Sequence, residues 1–292
     1  MTAWLQKNLP RIVVAPSFAV ILWFMYGFVL WTFYVSLTNS KLMPRYDFVG
    51  ISQHIRLWTN LRWHTAVENL FVFTLLFLIV AMVIGILLAI LLDQKIRAEG
   101  ALRTIYLYPM ALSFIVTGTA WKWMLNPTLG IQKLVQDWGF TEFTFDWLVN
   151  RDMSIYAIVI AAVWQSSGFV MALFLAGLRS IDDEIIKAAK IDGAPLYEIY
   201  LRIVLPMMRP VFMSAIVIML HLSIKTYDLV IALTAGGPGT SSDMPAVFMT
   251  QMAFHRSEIG LAAASATVMF VTVMAVIVPY LYSELRNEDA SR

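Results

Sequence analysis

Six long apolar runs, separated by polar connectors, limit what this chain can fold into. They lie near 12–37, 67–92, 104–125, 153–178, 209–234 and 259–282. Each approaches or exceeds the roughly 20 apolar residues that a helix needs to cross a hydrocarbon core. The runs are continuous rather than alternating. Lipid offers the backbone no hydrogen-bond partner, so continuous apolar runs must cross as helices that satisfy their own amides. Composition agrees. Of 292 residues, 60% are hydrophobic and 14% charged, where a soluble domain carries about 25% charged residues. The expectation is an all-α polytopic membrane protein of six transmembrane helices, forming one membrane domain over 1–292. The first run is too long for a cleaved signal peptide and has no small-residue cleavage site behind a short core, so it reads as a retained span.

Lys and Arg in the connectors set the orientation. With both termini inside, the inner set is Lys7, Arg11, Lys95, Arg97, Arg103, Arg179, Lys187, Lys190, Arg202, Arg209, Arg286 and Arg292. The outer set is Lys41, Arg45, Arg56, Arg62, Lys133, Arg151 and Arg256. Twelve against seven places the 179–208 connector in the cytoplasm. A net charge of +2, with no basic cluster beside a stacking surface, excludes a nucleic-acid partner. There is no Cys, hence no disulfide, thiolate nucleophile or Cys metal site.

The outer connectors differ in character. Segment 38–66 is polar, with Pro44 and Gly50. Segment 126–152 reads as a short interfacial element plus a turn, with Trp138 and Trp147 as headgroup anchors. Residues 236–242, GGPGTSS, form a turn. They lack the Gly-Lys-Ser/Thr ending of a phosphate loop.

The 179–208 connector holds the most specific pattern, KAAKIDGAPLYEIYLRIVLP at 187–206. Asp182, Asp183 and Glu184 favour a helix start through capping and the dipole. Ala188 and Ala189 leave a small, flat surface. Gly193 is suited to end that helix. Pro195 is suited to the first turn of a second helix over about 195–204, with Leu201 and Val204 on its apolar side. Pro206 marks the return to the membrane. The expected element is a helix-turn-helix projecting from the bilayer.

Ala188-Ala189, Gly193 and, nine residues on, Ile203-x-Leu205-Pro206 match the spacing of the EAA loop, and on these residues the chain resembles ABC importer permeases. Lys187 stands where that family usually has Glu. The resemblance covers roughly 12–285. The stretches 107–130, 163–178 and 227–239 look like blocks of carbohydrate-uptake, maltose-type permeases, and the general look is nearest to the glucose/mannose type. It implies a permease heterodimer in the bacterial inner membrane, two ATPase subunits and a periplasmic solute-binding protein. It also implies membrane lipid as surroundings and a sugar as substrate, with ATP and Mg held by the ATPase and no cofactor on this chain. Lys187, Ala188, Ala189, Asp192, Gly193, Ala194, Leu205 and Pro206 become the ATPase-coupling residues. The role is transport, not catalysis. The sugar is expected to be a monosaccharide such as glucose or mannose; another sugar, a polyol or a sugar derivative is the alternative.

The same resemblance to the maltose type points to Trp164, Ser167, Gly168 and Met171 on the fourth span as substrate contacts, and to Ser223 and Thr226 on the fifth. Spacing of three and four puts the first four on one helical face. Trp offers a plane to a pyranose and Ser a hydroxyl. Small residues at this spacing also pack helices together in membranes. On the fifth span His221, Lys225 and Asp228 share a face at i, i+4 and i+7, nearly opposite Ser223 and Thr226. Charges at membrane depth are costly and face a bundle interior or water. Lys225 and Asp228 either pair structurally or serve the pathway. Asn69, Gln165 and Ser166 are further polar candidates.

A secondary transporter would explain the intramembrane charges, but not the loop pattern, and no internal repeat supports it. A membrane enzyme would need a catalytic constellation. His54, His64, His221 and His255 form none.

Overall fold

A computed structural model of the chain describes residues 2–43, 45–94 and 96–290. Pro44, Lys95 and Arg292 lie outside the described residues, as do the side chains of Lys7 and Arg286. The described residues are helical apart from turns and one isolated bridge, Thr38 to Phe48. In chain order the helices are α1 (Thr2–Ser36), α2 (Ser52–Trp58), α3 (Leu61–Asp93), α4 (Glu99–Leu107), α5 (Phe114–Met124), α6 (Ile131–Asp137) and α7 (Ser154–Leu178). There follow α8 (Asp183–Ile191), α9 (Leu196–Ile199), α10 (Leu205–Met207), α11 (Arg209–Ile224), α12 (Asp228–Leu233), α13 (Pro245–Thr250) and α14 (Ile259–Ala290).

Four helices are long and apolar enough to cross a membrane: Val13–Ser36, Leu61–Asp93, Ser154–Leu178 and Ile259–Tyr280. These are four of the six expected spans. The other two are not straight helices. The third bends by 100° between Glu99–Ala111 and Phe114–Met124. Before α11, the chain bends by 67° between Leu196–Met207 and Arg209–Ile224. The expected fifth span, 209–234, is also interrupted: α11 ends at Ile224 and α12 starts at Asp228.

The residues form two compact units. One comprises residues up to Asn60 and Phe248–Val271. Its α1 has no buried residue from Val13 to Tyr34, with Trp23, Phe24, Tyr26, Phe28, Trp31 and Phe33 outward; only Val35 and Ser36 at its end are buried. Water would not tolerate such a face; lipid does. Beyond the C-terminal end of α1 the Asn39 amide donates to the Asp47 carbonyl, Gln53 donates to Asn39 at 3.2 Å, and Arg56 pairs with Glu258 at 2.8 Å.

The second unit, Leu61–Val247 with Thr272 onward, carries the core. Here α3 lies along α7, with α5 on α12 and α11 against both long helices. Phe73 stacks on Phe77 at 5.2 Å and Phe174 meets Phe212 at 4.6 Å. Met171, Ile158 and Val170 are fully buried in the same core.

Backbone bends inside a membrane protein need internal partners. At the 100° bend, Pro109 leads a short 3-10 turn, Leu112 is extended, and Ser113 caps α5 by accepting from the Val116 amide at 3.3 Å. The freed Leu112 carbonyl accepts from Gln165 Nε2 at 2.7 Å. Gln165 thus holds the bend, and Ser166 is buried beside it. Before the second bend the helix widens into a π-turn over Tyr200–Val204, with the Leu205 amide donating to the Tyr200 carbonyl. Pro206 explains the location. It has no N–H for the Arg202 carbonyl, and its ring crowds that oxygen.

Candidate functional site

The helix-turn-helix expected at 182–208 is present. Asp182 caps α8, accepting from the Glu184 amide at 2.9 Å, and acidic Asp183 and Glu184 fill the first turn. Gly193 ends the helix. Its φ is +81° with open space around it, so its backbone angle, not crowding, demands glycine. The Ala194 amide donates to the Ala189 carbonyl and the Gly193 amide to the Lys190 carbonyl, both at 3.1 Å. This is a Schellman closure.

Three details differ from expectation. Ala188 faces out but Ala189 is buried, so the two alanines do not share one open surface. Pro195 sits just before α9 as its N-cap, at extended ψ, rather than in the first turn. Leu201 is exposed, whereas Ile199 and Val204 form the buried side, because the π-turn shifts the register.

The loop therefore has two faces. Ile186, Ala189, Ala194, Ile199, Ile203 and Val204 pack on the core. Ile191 (85% exposed), Tyr197 (69%), Leu201 (62%) and Leu196 (48%) stand outward among exposed Lys187, Asp192 and Gly193. Leu205 is half-buried and Pro206 exposed.

On α7 the four candidate contacts separate. Trp164 and Ser167 line a cavity of about 740 Å³ whose wall includes Tyr106, Pro109, Trp121 and the α3 stripe Leu76-Val80-Ile84-Leu88. Trp121 meets Trp164 edge-on at 5.9 Å. Gly168 instead faces the bent third span; a Cβ there would lie 1.9 Å from the Tyr106 carbonyl oxygen. Met171 is fully buried in the core. The bent third span covers Gly168, and only Trp164 and Ser167 of the four reach the cavity. Trp147, read as a headgroup anchor, also lines the cavity and packs on Phe145 at 4.8 Å; Trp138 remains outward.

The fifth span corrects the two-face argument. Residues 225–227 are not helical: the Tyr227 amide reaches back only to the Lys225 carbonyl, at 2.8 Å. The i, i+4, i+7 register across this break does not exist. His221, Lys225 and Asp228 are all exposed, and Lys225 and Asp228 make no ion pair with each other. Ser223 is buried; its hydroxyl donates to Leu220 and accepts from Thr74 at 3.0 Å, joining α11 to α3. Thr226 is half-buried and donates back to Leu222 at 3.0 Å.

One constellation escaped the sequence. The 236–243 turn is held by Asn69, which donates to the Ser241 and Asp243 carbonyls at 2.8 and 2.9 Å. Ser154 and Ser241 hydroxyls meet at 3.0 Å. Buried Asp243 pairs with Arg62. Burial pushes the Asp243 carboxyl above its ordinary range, and the Arg62 guanidinium draws it back. These partners lie 181 residues apart, beyond the reach of any local pattern.

The scaffold is one of membrane-length helices bearing a helix-turn-helix with an exposed apolar face. Residues 81–287 match the family of binding-protein-dependent transport system inner membrane components, and the chain belongs to it. A probable ABC transporter permease protein of Pyrococcus horikoshii is 37% identical over 97% of this chain and 99% of its own length. The xylose/arabinose import permease protein of Haloferax volcanii is 35% identical over 90% of this chain and 83% of its own length. A bacterial alginate ABC transporter, crystallised with an alginate pentasaccharide-bound periplasmic protein, contains a chain of the same fold. It has a TM-score of 0.84, 18% identity, and coverage of 98% of this chain and 97% of that one. The chain is a multi-pass membrane permease of an ABC transporter, as the resemblance to carbohydrate-uptake permeases implied.

Proposed function

We propose that the chain is the membrane subunit through which a monosaccharide such as glucose or mannose passes from periplasm to cytoplasm. It sits in the inner membrane with both termini inside. A second, different permease completes the pathway, and two ATPase subunits bearing Mg-ATP bind beneath it. A periplasmic solute-binding protein delivers the sugar. The chain itself performs no chemistry.

The observation that carries this reading is the two-faced loop. Its inner face is packed on the core, and its outer face exposes Ile191, Leu196, Tyr197 and Leu201 among charges. Exposed apolar side chains on a rigid projection favour a protein partner. A loop rigidified by a Schellman turn passes the partner's movement to the helices. ATP drives the cycle only through its different affinity for the two conformations of the ATPase pair. Trp164 and Ser167, open to the cavity, are the stacking plane and hydroxyl for the sugar; Thr226, at the α11–α12 break, is a further contact. Gly168, Met171 and Ser223 set the helices around them.

The test is uptake by the full complex in proteoliposomes, with labelled glucose, mannose, xylose, arabinose and maltose offered in turn. The expected result is ATP-dependent uptake of glucose or mannose, falling about tenfold in Trp164→Ala with assembly unchanged. Uptake of pentoses alone would replace the hexose reading. Unchanged uptake by Trp164→Ala would remove the cavity from the pathway.

A further inference from the structure

Force delivered to the loop must reach the spans in a fixed register, and this need rests on the function just proposed. Packing of Ile199 and Val204 attaches the loop to the core, but apolar contact is non-directional and does not fix direction. A polar cluster does. Arg179 ends α7. Its Nη2 donates to Glu99 Oε1 at 2.8 Å, at the start of α4, and its Nε lies 3.8 Å from Asp93 Oδ1, at the end of α3. The other Asp93 oxygen accepts from the Tyr200 hydroxyl at 3.4 Å, and Gln94 Nε2 donates to that hydroxyl at 3.2 Å. Tyr200 is the first residue of the π-turn. π-turns are frequent at functional sites, and this one stands where the loop meets α3.

We propose that Arg179, Asp93 and Tyr200 are positioning residues that join the coupling loop to the ends of α3, α4 and α7, so that all four move together. The side chains of Arg179 and Asp93 are 43% and 26% exposed. Ion pairs so placed add little to folding stability. A merely structural role therefore predicts nearly silent substitutions, while a joint predicts loss of coupling in a complex that still assembles.

The test uses the full importer in proteoliposomes, with the sugar that the wild-type complex takes up from the panel above. In Asp93→Asn, Arg179→Gln and Tyr200→Phe, uptake per ATP hydrolysed is expected to fall about tenfold, with assembly and ATP hydrolysis retained. Wild-type ratios in all three would overturn the joint. The Cys-free sequence allows a second arm. Asp93→Cys with Tyr200→Cys should be uncoupled, and a short bifunctional thiol reagent bridging the two should restore the ratio. A bridged protein that stays uncoupled overturns the proposal. A wild-type complex that hydrolyses ATP but takes up none of these sugars defeats the substrate reading alone. The joint is then read from ATP-dependent thiol labelling at Ile160→Cys, in the cavity wall. The joint variants should abolish that ATP response, and its persistence in them overturns the joint.

Discussion

Gly193 is demanded by a backbone angle, and the proposed coupling rests on the turn it makes. At φ +81° a side chain costs about 1–2 kcal/mol, although nothing lies near enough to clash. Gly193→Leu should therefore leave the membrane helices intact and distort only the turn between α8 and α9. The expected outcome is an assembled complex that hydrolyses ATP with little uptake; full uptake would remove the loop from the mechanism. The Arg62–Asp243 pair makes a different kind of residue-scale claim. Asp243 is fully buried, and removing one partner of a buried pair leaves an uncompensated charge, costing about 3–5 kcal/mol. Arg62→Met should lower the melting temperature of the purified complex markedly. Arg62→Met with Asp243→Asn should recover most of that loss, since neither charge then remains. Equal destabilisation of the single and double variants would show that the guanidinium acts through its other contacts.

At the scale of elements, the fifth span is the informative one. Read as one helix, it offers a charged face and a hydroxyl face. Broken at 225–227, it offers neither. Lys225 and Asp228 are then independent exposed charges of this chain. Neutralising each, as Lys225→Met and Asp228→Asn, should give effects on assembly that add within about 0.5 kcal/mol. Recovery in the double variant would mean that the pair forms only in the assembled complex. The third span makes the same point. Its apolar run was legible, but its 100° bend was not, because the stabilising group, Gln165, lies 53 residues away on α7.

At the scale of the whole molecule, the claim is topology. Lys190 lies in α8 and Thr240 in the 236–243 turn. The orientation proposed places the first in the cytoplasm and the second in the periplasm. Single substitutions Lys190→Cys and Thr240→Cys, in a chain without cysteine, separate the sides. A membrane-impermeant thiol reagent applied to intact cells with a permeable outer membrane should label position 240 and spare 190. The opposite pattern inverts the topology and moves the loop away from any ATPase.

The sequence alone determined the features governed by local physics. Continuous apolar runs required membrane helices, Asp182 and Gly193 bounded α8, and Pro206 marked the return towards the next span. The loop's spacing carried the family because that spacing is itself local. Only the tertiary structure decided which side chains meet. It turned Ala189 inward, set Gly168 against the Tyr106 carbonyl, opened Trp164 and Ser167 to a cavity, and joined Arg62 to Asp243. Helical periodicity assigns a residue to a face, but it does not say what covers that face. The covering depends on bends whose unpaired carbonyls are satisfied by distant side chains, and those pairings exist only once the helices have packed.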